Sequence, residues 1–257
     1  MLELKNISKI FNPGSVTEMC LFDDFNLSVT EGEFLSIVGS NGSGKTSLLN
    51  IICGSIPIEG GQVLIDDEDV TALEDHKRYK KMGRVYQNPA WGSCPNLTLL
   101  ENMSLADNKG RRYGLGKSIN NSRLDYYREQ LSSLNLGLED KLSVKMGELS
   151  GGQRQAAALI MSTLTPIDFL ILDEHTASLD PQTAEIIMEL TDKVIKNKNL
   201  TAMMVTHNLR YAVDYGNRLI MMDKGEIILE RAGQYKVDTT VNDVLKIFTE
   251  IGIECGN

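Results

Sequence analysis

The chain has 257 residues, 42% hydrophobic and 24% charged, enough for a full core at the upper end of single-domain size. Its 26 basic and 35 acidic residues leave a formal charge of −9, which argues against a general affinity for nucleic acid or anionic lipid headgroups. Cys20, Cys53, Cys94 and Cys255 lack C-x-x-C spacing, so they suggest neither a zinc site nor a disulfide framework and fit a reducing compartment.

The opening MLELKNISKIF lacks the basic-then-apolar order of an export signal and reads as an alternating strand over Leu2–Ile7. A second strand is expected at Phe25–Val29, and after the Glu31-Gly32 turn a core strand at Glu33–Val38. That strand runs into Gly39-Ser40-Asn41-Gly42-Ser43-Gly44-Lys45-Thr46, and from Ser47 to Cys53 the apolar spacing is helical. Strand, loop and helix match G-x-x-x-x-G-K-[ST] in its required context. The glycines let backbone N–H groups converge on phosphate oxygens at a helix N-terminus. Gly39 through Ser47 is therefore the expected phosphate cradle, with Lys45 on the β- and γ-phosphates and the Thr46 hydroxyl on Mg²⁺.

Buried-type strands at Arg84–Tyr86, Phe169–Leu172, Ala202–Val205 and Leu219–Met222, separated by helical segments, predict an α/β fold with a mainly parallel sheet. Between Asn88 and Ser150 the strands stop. Leu99–Ala106 and Asn121–Leu134 read as amphipathic helices of an inserted helical subdomain, joined by the Gly- and Arg-rich loop Lys109–Lys117, which reads as solvated surface. One helix and a polar tail are expected after Asp238. No apolar run approaches the roughly 18 to 20 residues that span a bilayer, so a membrane role needs a partner subunit.

Phe169-Leu-Ile-Leu-Asp173-Glu174 is an apolar strand ending in two carboxylates, where an open α/β sheet presents groups to its ligand. As a Walker B partner of the P-loop, Asp173 would reach Mg²⁺ through its water shell and Glu174 would act as general base toward the attacking water. These two motifs occur in many nucleoside triphosphatases and do not choose among them.

Leu149-Ser150-Gly151-Gly152-Gln153 does choose. It opens the helical run Arg154–Leu164, so Ser150 and the following N–H groups form a second phosphate cradle at a helix N-terminus. This pentapeptide resembles the signature of the ABC ATPase family, and the resemblance extends from Leu2 to about Phe248. It implies a P-loop NTPase fold, with 1–87 and 165–240 as a RecA-like core carrying an antiparallel β subdomain, 88–164 as the helical subdomain, and 241–257 as terminal helix and tail. It also implies a homodimer that buries two ATP molecules, with Ser150, Gly151, Gly152 and Gln153 of one copy on the γ-phosphate held by the other copy.

Further roles follow from the same resemblance. Gln87 stands as the Q-loop glutamine, sensing Mg²⁺ or the attacking water and linking to the helical subdomain. Ser178-Leu179-Asp180 resembles the D-loop at the dimer interface, His207 the switch histidine on the γ-phosphate, and Phe11 the aromatic residue that stacks on adenine. His175 departs from the family pattern, which has proline there, and is expected not to be catalytic.

Asp173–Pro181, Met204–Asn208 and Gly216–Met222 together resemble an importer-type branch. That likeness implies a separate permease, a lipoprotein solute receptor, a cytoplasmic position against the inner face of the membrane, and tryptophan or tyrosine as cargo. Alternatives are an ABC exporter ATPase, a soluble ABC ATPase acting on ribosomes or nucleic acid, and a regulatory binder with a dead site. The acidic balance, the lack of a second ATPase unit or long coiled coil, and the presence of Lys45, Gln87, Asp173, Glu174 and His207 weigh against the last two.

Overall fold

The computed structural model describes residues 1–110, 119 and 121–254. Most of the Lys109–Lys117 loop, and Cys255, lie outside the described residues. The chain divides into two compact units, Met1–Tyr79 with Leu200–Asn257, and Lys80–Asn199.

In the first unit an antiparallel sheet is ordered Met19–Val29, Leu2–Phe11, Gly60–Ile65, Glu68–Asp69. Leu2 faces Val29 and Ile65, and Leu4 faces Leu27 and Val63. All six side chains are buried, so the apolar alternation read from Leu2–Ile7 sets the register. Both strands of the hairpin, Leu2–Phe11 and Met19–Val29, run longer than the sequence reading expects. Their register shifts beside Asn6, whose φ of 52° turns the strand while its N–H donates to Asn26 Oδ1 at 2.9 Å.

The second sheet of this unit places Phe34–Gly39 between Thr201–Val205 and Arg218–Asp223, parallel to both. Every residue of Phe34–Gly39 and Thr201–Val205 is buried, as their mostly apolar sequences favour. Glu226–Ala232, a strand the sequence reading does not identify, adds antiparallel to Arg218–Asp223. Its tight turn is made by Lys224 and Gly225, both at positive φ (46° and 84°). The C-terminal helix Val241–Glu254 packs Val244 into a cluster with Val38, Ala212, Leu219 and Met221.

In the second unit Met82–Val85 pairs parallel with Phe169–Asp173, and the helices are Leu99–Asp107, Leu124–Ser132, Gly151–Ser162 and Pro181–Lys198. Thr98 opens the first with a capping box shared with Glu101. The single helix expected over Asn121–Leu134 is a 3₁₀ turn, Asn121–Arg123, followed by Leu124–Ser132. Arg123 sits at φ −101°, ψ 3°, outside helical values, and its guanidinium is committed to the buried Asp107 carboxylate at 2.7 and 2.8 Å.

Within this unit Met82–Val85 and Phe169–Asp173 pair with each other, and Gly151–Ser162 packs on Met82–Val85 and on Pro181–Lys198.

Candidate active site

The P-loop is held by its neighbours in the first unit. At the end of its strand, a Cβ on Gly39 would lie 2.2 Å from the Met222 carbonyl oxygen, so only glycine fits there. The Ser43 carbonyl accepts the Gly225 N–H at 3.0 Å, and the Ser40 hydroxyl donates to Asp223 Oδ1 at 2.9 Å. The hairpin after Arg218 thus clamps both ends of the turn.

Lys45 is buried and folds its ammonium into the loop, donating to the carbonyls of Gly39 at 2.9 Å and Ser40 at 2.8 Å and to Ser43 Oγ at 3.3 Å. Thr46 is exposed and Ser47 partly buried at the first turn of the helix Lys45–Cys53. The positive end of the helix dipole points toward this turn. Its other end is closed by Arg78, buried, whose guanidinium donates to Ile51 O at 2.8 Å, Ile52 O at 3.0 Å, Thr71 O at 2.8 Å and Leu73 O at 3.1 Å.

His207 is exposed just beyond the strand Thr201–Val205. Its backbone is pinned by Asn208, whose N–H donates to Thr206 Oγ1 at 3.0 Å and whose Oδ1 caps the helix Leu209–Asp214. Ser40, Asn41 and His207 line one cleft of about 290 Å³ with Leu245 and Phe248 of the C-terminal helix. The structure therefore brings His207 together with the P-loop. Phe11 is partly buried under the Lys9 ammonium, 5.2 Å from its ring centre.

In the second unit, Asp173 ends the buried strand Phe169–Asp173, and Glu174 follows in a left-handed conformation at φ 47°. Asp173 Oδ2 accepts from Arg84 Nη2 at 2.6 Å. His175 is fully buried, which pushes its pKa down to about 4, and its Nε2 meets Thr191 Oγ1 at 3.1 Å.

Gln87 is exposed, with its backbone held from two sides. Buried Gln155 donates Nε2–H to Tyr86 O at 3.0 Å, and the Ser178 hydroxyl donates to Gln87 O at 3.3 Å. Ser150 caps the helix Gly151–Ser162, accepting the Gln153 N–H at 3.3 Å, while Gln153 Oε1 accepts the Ser150 N–H at 3.3 Å and Lys141 Nζ at 3.2 Å. Asp180 caps Pro181–Lys198 through Thr183 N–H at 3.0 Å, and hydrogen bonds from the Thr183 side chain and then from this N–H lower its pKa.

Arg84, Gln155, Asp223 and Thr191 did not emerge from the sequence. Arg84 alone carried a local signal, a charge inside the otherwise apolar or small stretch Met82–Val85.

The ABC transporter family profile matches residues 22–177. The chain belongs to the ABC transporter family. It is 44% identical to a tyrosine transport ATP-binding protein of Clostridioides difficile (strain R20291), over 96% of this chain and 98% of that protein. It is 31% identical to a methionine import ATP-binding protein of Bacillus thuringiensis subsp. konkukian (strain 97-27), over 97% of this chain and 73% of that protein.

Among solved structures, a dimeric ATP-binding cassette in a post-hydrolysis state with ADP and Pi is 33% identical, with a TM-score of 0.76, over 90% of this chain and 98% of that chain. An ABC transporter cassette in its ADP conformation superposes with a TM-score of 0.79 at 26% identity, over 100% of this chain and 99% of that chain. The fold is that of an ABC ATPase, as the P-loop and signature together led one to expect. No described helix of this family member is long and apolar enough to cross a membrane.

Proposed function

We propose that this chain binds and hydrolyses ATP as one half of a head-to-tail homodimer and so drives uptake of an aromatic amino acid, tyrosine foremost, through separate permease subunits. The observation that carries the reading is the glycine-built loop around Lys45 at the mouth of a helix, with His207 in the same cleft. The cargo rests on the 44% identity to the tyrosine transport ATP-binding protein.

Each residue has a definable task in this reading. Phe11 stacks on adenine. Lys45 turns from the Gly39 and Ser40 carbonyls to the β- and γ-phosphates, and the N–H groups of Gly39–Ser47 orient the phosphate chain. Glu174 takes the proton of the attacking water as its oxygen bonds to the γ-phosphorus and the bond to the β-phosphate oxygen breaks. His207 holds the γ-phosphate from the same copy. Ser150, Gly151, Gly152 and Gln153 of the second copy present their helix N-terminus to it, with Asp180 at the same interface.

The Thr46 hydroxyl, the Asp173 carboxylate and the Gln87 amide oxygen are hard oxygen donors that suit Mg²⁺. When bound, Mg²⁺ would offset phosphate charge. Closure of the dimer on ATP, and loosening after hydrolysis, would pass through Gln87 to the helical subdomain 88–164 and on to the permease, against a core formed by 1–87 and 165–240. A lipoprotein receptor outside the cell and a peripheral position on the inner face of the membrane complete the assembly.

The test is to purify the chain with its co-expressed permease and receptor, reconstitute them in vesicles, and measure ATP turnover against tyrosine, tryptophan and methionine, with Glu174→Gln as control. Stimulation by tyrosine that vanishes in the variant supports the reading. Turnover that responds to none of these but to RNA or ribosomes overturns the importer assignment.

A further inference from the structure

Arg84 interrupts a strand whose neighbours are apolar or small, and its side chain is only 6% exposed. Nη2 sits 2.6 Å from Asp173 Oδ2, and Asp173 is itself only 12% exposed in its side chain. The guanidinium lies over the Tyr86 ring, 4.7 Å from its centre, so its plane is fixed as well as its charge. The strand is backed closely by the helix Gly151–Ser162, since a Cβ on Gly83 would come within 2.6 Å of Ser162 O.

We infer that Arg84 is a built-in counter-ion of Asp173: it neutralises this carboxylate in the metal-free protein and competes with the divalent cation for it. The inference rests on the reading of Asp173 as a Mg²⁺-directed group. Its physics is linkage. A carboxylate removed from water is stabilised by a partner, and leaving it unpaired costs more than forming the pair. An interaction that favours the metal-free state must weaken metal binding by the same free energy unless the cation leaves it intact. Arg84 would thus keep the nucleotide-free protein stable and raise the Mg²⁺ concentration needed to load it.

The experiment is a thermal unfolding series on the full chain with saturating ADP, titrated with Mg²⁺, for wild type, Arg84→Gln, Arg84→Lys and Asp173→Asn. Arg84→Gln keeps a donor without charge. It is expected to unfold at lower temperature without Mg²⁺ and to need about tenfold less Mg²⁺ for half of its stabilisation, while Arg84→Lys stays within about threefold of wild type.

A Mg²⁺ requirement of Arg84→Gln equal to or above that of wild type overturns the inference. If Asp173→Asn retains the wild-type Mg²⁺ response, the reading of Asp173 fails and the inference falls with it. If Asp173→Asn loses that response while Arg84→Gln matches wild type, only the inference falls. Should Arg84→Gln not fold, the arginine side-chain N–H resonance of Arg84 in wild type decides: it must shift in step with Mg²⁺ saturation, and an unmoved signal overturns the idea.

Discussion

His175 Nε2 lies 3.1 Å from Thr191 Oγ1, and the threonine hydroxyl gives its own proton to Ile187 O at 2.7 Å. The hydroxyl can only accept from the imidazole, which fixes His175 as the Nε2–H tautomer. The residue after Glu174 is thereby tied to the helix Pro181–Lys198 inside the second unit. Thr191→Val leaves a buried N–H without its acceptor and is expected to cost about 1–3 kcal/mol in urea unfolding. In a double-mutant cycle, His175→Phe should remove most of the Thr191→Val penalty, because no donor then remains to be stranded.

Gly39 combines a steric block with a positive φ of 156°, whereas Gly42 has the positive φ alone. At Gly39 a Cβ would meet the Met222 carbonyl oxygen, so Gly39→Ala must move backbone and is expected to cost about 2 kcal/mol or more and to weaken ATP binding. At Gly42 nothing lies within 4 Å but φ is +81°, so Gly42→Ala should cost about 1 kcal/mol from conformation alone. Thermal unfolding and binding of a fluorescent ATP analogue measure both.

Arg78 closes the C-terminal end of the P-loop helix through the Ile51 and Ile52 carbonyl oxygens and ties it to those of Thr71 and Leu73. Arg78→Met keeps the aliphatic stem but strands these acceptors, so a loss of about 3 kcal/mol in chemical denaturation is expected. A loss under about 0.5 kcal/mol would mean that the carbonyls find other partners.

Glu174→Gln retains shape and removes the proposed base. It is expected to lower kcat for ATP hydrolysis by about 10² to 10⁴ while leaving ATP affinity close to wild type, measured by phosphate release and equilibrium binding.

Lys109 donates to Met82 O, and burial pulls its pKa from 10.5 to about 8. Between those values the unfolded chain holds a proton that the folded chain has released, so this residue's contribution to stability rises with pH across the window. Below about pH 8 the buried ammonium is a cost. Lys109→Met should then raise unfolding stability at pH 7 by about 1 kcal/mol, and the gain should vanish by about pH 10.5.

Local spacing was enough to place the P-loop, the Asp173-Glu174 pair and the signature, because each is a contiguous run whose geometry comes from its own glycines, strand end or helix start. By contrast, the strand Glu226–Ala232 exists because Arg218–Asp223 offers an edge to pair with, and its exposed, charged residues carry only a weak pattern. The fold-back of Lys45 depends on where the loop carbonyls turn. The Arg84–Asp173 pair joins positions 89 residues apart, and the Gln155–Tyr86 bond joins positions 69 apart. Sequence by itself determined which chemical groups the protein owns and which short motifs shape them. Only the tertiary structure decided which charges and donors meet, because such pairings are set by strand register and helix packing between segments that carry no local record of each other.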